Sequence, residues 1–146
     1  MKLAFISDLY HPSIGGTQML CKNISEFFYE KKHEIEILTT LDYERKLTDY
    51  KYRIKQFDKL NFNNSKIFQN CNYDHVFVFC DIFSLSLQTV DFSSIKKSTI
   101  ILNLDENVYN WIQNEKQGYN KKNVEFLVNK LKSATNVVTF CQDAPV

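Results

Sequence analysis

A rhythm of short apolar runs alternating with segments of helical period constrains this chain more than any other feature. Lys2 to Ser7 (KLAFIS), Glu34 to Thr40 (EIEILTT), Asp74 to Cys80 (DHVFVFC), Ser98 to Leu104 (STIILNL) and Asn136 to Cys141 (NVVTFC) each read as a strand. In DHVFVFC the apolar residues are consecutive, not alternate, which suits a parallel strand covered on both faces. Between the runs, Thr17 to Lys32 carries Met19, Leu20, Ile24, Phe27 and Phe28 at helical spacings, facing a core. Asn123 to Ser133 places Val124, Leu127, Val128 and Leu131 on one face in the same way. Lys59 to Asn70 and Asp81 to Val90 are further helix candidates. Asp42 to Lys59 is charged and tyrosine-rich with little period. It reads as a loop, with a weak strand near Tyr52 to Phe57. Strands alternating with helices predict an α/β fold, a Rossmann-like doubly wound parallel sheet with helices on both faces.

The 146 residues fit one domain of that kind, with room for a core that needs no disulfide or metal. A formal net charge of +1 gives no general pull toward nucleic acid. The first apolar run stops at Ser7-Asp8, too short for a secretory signal, and no stretch approaches the roughly 20 apolar residues of a membrane span. A cytoplasmic protein is expected. Cys21, Cys71, Cys80 and Cys141 are scattered and read as buried reduced thiols. His11, His33 and His75 show no ligand spacing, so no metal site is expected.

Glycine and proline are scarce, at three and two, yet Pro12, Gly15 and Gly16 fall together after the first strand. In a parallel sheet, ligands bind beyond the carboxyl ends of the strands. Two glycines there let backbone approach a ligand, and the helix that follows offers N–H groups and a positive dipole end to a phosphate or sugar oxygen. Thr17 reads as the helix N-cap. Taken alone, Gly15-Gly16 also reads as a plain turn. The loop is not a Walker A motif and not G-x-G-x-x-G, so ATP hydrolysis and dinucleotide binding lose support.

The wider segment KLAFISDLYHPSIGGTQ, then a helix, then KKHEIEILTT, resembles the start of family-4 glycosyltransferases of the GT-B fold. That family's pattern is a strand, a loop with Pro and Gly-Gly, an acidic or amide residue two on, a helix, and a basic-Gly-His-Glu-Val step into strand two. Here the step is Lys31-Lys32-His33-Glu34-Ile35, with Lys32 where the family has Gly. The likeness is specific over residues 1–40. It continues loosely through Tyr73-Asp74-His75-Val76 and Ala134-Thr135-Asn136-Val137-Val138-Thr139.

The resemblance implies that residues 1–146 are the acceptor-side, N-terminal half of a GT-B architecture, with the nucleotide-sugar domain absent from this chain. Asp143-Ala144-Pro145-Val146 directly after the last strand fits that expectation, since a closing helix or a further domain would follow there. The implied activity is transfer, with retention, of a sugar from a nucleotide donor to a glycan or lipid-linked acceptor, as in polysaccharide biosynthesis, with no cofactor and no metal. Gly15 and Gly16 would face the donor's sugar and diphosphate, with Gln18 as a polar contact. After the strand at Ser98 to Leu104 many members carry a His. This chain has Asn103-Leu104-Asp105-Glu106-Asn107 instead. Asp105 and Glu106 are the catalytic candidates, or else caps of a turn. Asn103, Asn107 and Tyr109 are the acceptor-binding candidates.

Tyr109 and Trp111 could stack on a sugar ring or pack in a core. Lys116, Lys121, Lys122, Lys130 and Lys132 read as a solvated face or, as in relatives that act on lipid-linked acceptors, as a patch for peripheral association with the inner membrane face. Asp8 closes the first strand and can orient its loop. Cys80-Asp81 ends a strand with no partner for a catalytic thiol. The missing His keeps a second expectation open: a non-catalytic GT-B-like binding subunit of a glycan-assembly complex. A receiver-type signalling domain would need an acidic cluster where Asp8 stands alone.

Overall fold

The computed structural model describes residues 1–41, 44–58, 72–82, 84–104 and 121–140. β1 (Lys2–Ser7) is buried on both faces. Leu3 and Phe5 point to one side of the sheet, and Ala4 and Ile6 to the other. β2 (Glu34–Thr40) and β4 (His75–Cys80) flank it in parallel, with β3 (Arg53–Phe57) outside β2 and β5 (Ser98–Asn103) and β6 (Asn136–Phe140) beyond β4. The sheet has six parallel strands in the order β3-β2-β1-β4-β5-β6, a Rossmann-like arrangement. The weak strand expected near Tyr52 to Phe57 is real. It is an edge strand, and its Arg53 and Lys55 keep that edge polar.

Helices cover both faces. α1 (Gly16–Glu30) lays Leu20, Cys21, Ile24 and Phe28 on Phe5, Ile35, Ile37 and Phe79. On the opposite face, α2 (Leu85–Thr89) and α3 (Lys121–Ser133) bring Leu87, Leu127 and Leu131 onto Ile6, Val78, Ile100 and Leu102. The stripe on α1 keeps Leu20, Ile24 and Phe28 of the one expected and loses Met19 and Phe27. Leu20–Ile24–Phe28 and Cys21–Ser25 face the sheet, while Met19 and Phe27 lie about 100° around the helix from them and are exposed. Val128 on α3 is exposed for the same reason. The helix candidate Asp81 to Val90 shrinks to α2, because a Ser84 to Asp81 turn occupies its first residues. A 3-10 turn at Phe92–Ser94, capped by Asp91, follows it. β6 is a strand as expected, but it is an edge strand whose Val137 and Val138 are exposed. The helix candidate Lys59 to Asn70 lies outside the described residues. No helix among the described residues is long and apolar enough to cross a membrane.

α1 stops in a Schellman motif. His33 N–H donates to Phe28 C=O (3.2 Å) and Lys32 N–H to Tyr29 C=O (2.9 Å). The His33 ring packs edge-on to Phe28. The residue that must turn left-handed is Lys32, with φ 67°, the one non-glycine residue of positive φ among those described.

Candidate functional site

In this strand order the chain leaves β1 toward β2 and leaves β4 toward β5, so the loops after β1 and β4 part at the carboxyl edge and open a crevice. Asp8 bridges it. Its carboxylate accepts from Leu85 N–H (2.5 Å) and Ser86 N–H (2.9 Å) at the start of α2. Its carbonyl accepts from Thr39 Oγ1, Thr40 Oγ1 and Thr40 N–H at the end of β2. Asp8 therefore ties β1, β2 and α2 together. That carboxylate already serves as an anion at the α2 start, which leaves it poorly placed as a phosphoryl acceptor.

Beyond Asp8, Tyr10 drops into the core under α1. Its hydroxyl meets Ser25 Oγ (3.3 Å) and the Tyr52 hydroxyl. Burial pushes both tyrosines above their usual range, so they stay protonated. Arg45 then grips the loop from outside. Nε donates to His11 C=O (2.9 Å), one terminal nitrogen to Tyr10 C=O (3.2 Å), and the other to Gln56 Oε1 (2.6 Å) and Thr40 C=O (3.4 Å). Burial lowers its pKa, but a guanidinium keeps its charge. The Tyr50 hydroxyl donates to His11 C=O (2.8 Å) and sits 2.9 Å from His11 Nδ1. One hydroxyl proton cannot serve both, so both contacts hold only with the imidazole proton on Nδ1. The corner where a dinucleotide's ribose would sit, beyond β2, is filled by this Arg45 fork.

The loop ends at the α1 start. Gly15, not Thr17, is the N-cap. Its backbone is extended (φ −176°, ψ 161°), and its C=O takes the first helical bond from Met19 N–H (2.9 Å). Gly15 brings no side chain to cap this first turn, and none caps it among the described residues. Thr17 loses the role because the helix begins at Gly16, two residues before an N-cap at Thr17 would start it. An extended φ is open to any residue, so conformational freedom does not require the glycine. A Cβ there would meet the Gln18 amide, which folds back over Gly15 and reaches Ser13 Oγ (3.5 Å), so a larger residue has to swing that flexible side chain away. Gly16 is exposed beside it.

Gly15, Gly16 and Gln18 thus stand together at the carboxyl edge of β1. Asn103 ends β5 on the same edge, and β5 lies two strand spacings, about 10 Å, from β1. Its Oδ1 is buried with no hydrogen-bond partner among the described residues, an acceptor left open. Asp105, Glu106, Asn107, Tyr109 and Trp111 lie outside those residues. Lys130 leaves the expected basic patch: its ammonium donates to Val90 C=O (2.6 Å) and lies over the Phe92 and Phe126 rings, tying α3 to the end of α2. Lys132 is exposed. Cys21 and Cys80 are buried free thiols. Burial pushes both up, and the Asp81 and Asp8 carboxylates push Cys80 further, so neither is a nucleophile. No group of side chains that could hold a metal occurs among the described residues.

Sequence reasoning missed Arg45 and Tyr50, which shape the loop. Their signal was the charged, tyrosine-rich composition of residues 42–59, which has no period to read. With the flank of α1 they line a groove of about 570 Å³ that starts at His11 and Pro12. Its basic lining is Lys22, Arg45, Lys46 and Lys51. Its acidic lining is Glu26, Glu30, Glu44 and Asp49. The chain matches no protein-family model, no curated protein and no solved structure.

Proposed function

We propose that this chain is the acceptor-side half of a nucleotide-sugar-dependent glycosyltransferase of the GT-B type, acting on a glycan or lipid-linked acceptor. One observation carries the reading: an uncapped helix start at Gly15-Gly16, on the carboxyl edge of the central strand and beside the crevice. The position where the resembled family has Gly, Lys32, also takes a glycine's backbone conformation, which supports the same reading.

In this reading the departing diphosphate gains negative charge as the sugar–phosphate bond breaks. The first-turn N–H groups of α1 stabilise it without reorganising, because Arg45, Tyr50 and Asp8 already fix the loop. Asn103 Oδ1 accepts from an acceptor hydroxyl, and Asp105 or Glu106 takes the proton. The reading assigns the grip on the nucleotide itself to the second domain of a GT-B architecture.

Incubating the native gene product with radiolabelled UDP-, GDP- and ADP-sugars and a membrane glycan extract tests this. Transfer from one donor is expected. No transfer and no binding heat with any donor would remove the enzyme reading. The absence of the His that many family members carry after this strand favours one alternative, a binding subunit without turnover, which would bind glycan in that experiment and transfer nothing.

A further inference from the structure

We infer that the groove between α1 and residues 44–52 is a binding site for an uncharged oligosaccharide, lying alongside the α1 flank and leading to His11-Pro12. Its floor is aromatic: Tyr29 meets Tyr52 edge-on (centroids 5.9 Å apart), Tyr52 meets Tyr50 (6.2 Å), and Tyr50 meets His11 (5.8 Å). Rings arranged this way offer faces and edges to the C–H surface of a pyranose. The walls are polar. The carboxylates of Glu30 and Glu44 pair with no cation among the described residues, so they are placed to accept from sugar hydroxyls.

Charge decides against an anionic ligand. The basic and acidic linings balance. Lys22 is already paired with Glu26 (2.9 Å), and Arg45 is committed to the loop carbonyls and Gln56. The volume suits a ligand site, and Lys22 to Glu30 spans about 12 Å of helix, the reach of a short oligosaccharide. The site is rigid before binding, because the Tyr10–Tyr52–Ser25 contacts and the Arg45 fork hold both walls. Resting on the transferase reading, the groove would hold the body of a growing glycan while its end lies at the Gly15-Gly16 loop.

The test titrates the chain, labelled at tyrosine, with neutral tri- to pentasaccharides built from glucose, mannose or N-acetylglucosamine, and separately with inorganic phosphate and UDP. The ring signals of Tyr29, Tyr50 and Tyr52 should shift saturably with an oligosaccharide and not with phosphate. Tyr29→Ala should weaken binding about fivefold, and Glu30→Gln, which spares the rings, should weaken it too. Three results would each overturn the site: no oligosaccharide moves these rings, phosphate moves them equally, or neither variant changes affinity. With the native enzyme, Tyr29→Ala should raise KM for long acceptors and leave kcat unchanged. Transfer with an unaltered preference for long acceptors sinks the groove and spares the transferase. Oligosaccharide binding without transfer from any donor does the reverse.

Discussion

The two edges of the sheet use hydrogen bonds differently. At the amino edge they close the backbone on itself. Lys2 N–H donates to the Asp74 carboxylate (2.6 Å) while Asp74 N–H donates to Lys2 C=O (2.8 Å). Ser98 and Thr135 exchange backbone N–H and side-chain oxygen reciprocally (3.0 and 3.2 Å). The Schellman motif satisfies the end of α1 even at the cost of a left-handed lysine. At the carboxyl edge side chains hold a loop in place and then stop: the first turn of α1 has no cap and Asn103 Oδ1 no partner among the described residues. Stability is invested in positioning at one edge and in closure at the other. An open donor beside a fixed loop is what ligand binding needs.

The sharpest way to break this contrast is to release the carboxyl-edge loop. Arg45→Met leaves the Tyr10 and His11 carbonyls and the Gln56 amide without their charged donor. We expect unfolding in urea to show a loss of about 3 kcal/mol. A loss below about 1 kcal/mol would mean that the clamp is not what fixes the loop.

Gly15→Val separates geometry from stability at the same edge. The extended backbone tolerates valine, so the folding free energy should fall by only about 1 kcal/mol. The Gln18 amide must swing out, and the branched side chain shields the first-turn donors. Transfer by the native enzyme should drop roughly 100-fold in kcat. An unchanged kcat would remove this loop from the reaction.

The amino edge offers the opposite sign. Lys32→Gly relieves the left-handed lysine and should stabilise the chain by about 1 kcal/mol, raising Tm by about 3 °C. Transfer should be unaffected. A destabilised variant would show that Lys32 contributes a contact worth more than its strain.

Much of this contrast could be read before any coordinates. Parallel strands announce themselves as apolar runs, because burial on both faces leaves little room for polar residues, and KLAFIS and HVFVFC fell where expected. The Gly-Gly loop and the Lys31-Lys32-His33 step were legible because turns demand particular residues. What escaped was non-local. Arg45 meets Tyr10 and His11 across 35 and 34 residues of chain, and no period marks such a meeting. Leu20, Ile24 and Phe28 were placed on the core face, but Met19 and Phe27 were misplaced with them because they are apolar yet exposed, and hydrophobicity alone could not set the edge of the stripe. Asp105 and Glu106 rest on resemblance alone.

The smallest expected effect is a pH dependence at the amino edge. His75 starts β4, with Nε2 2.8 Å from Thr99 Oγ1 and its ring stacked on Phe77 (4.5 Å). Burial first, and then the Lys97 ammonium, hold its pKa below the ordinary value of about 6.5. The folded state therefore binds this proton less readily than the unfolded chain. Its contribution is intact above pH 6.5 and is lost as pH falls from there through the folded pKa. Urea midpoints measured from pH 7.5 to 5 should decline, and His75→Gln, which can still bond Thr99, should flatten that decline. The carboxyl-edge readout, kcat for transfer by the native enzyme, should not follow His75 through the same window. If it did, the two edges would be coupled through β4, and their separation into a closed edge and an open one would fail.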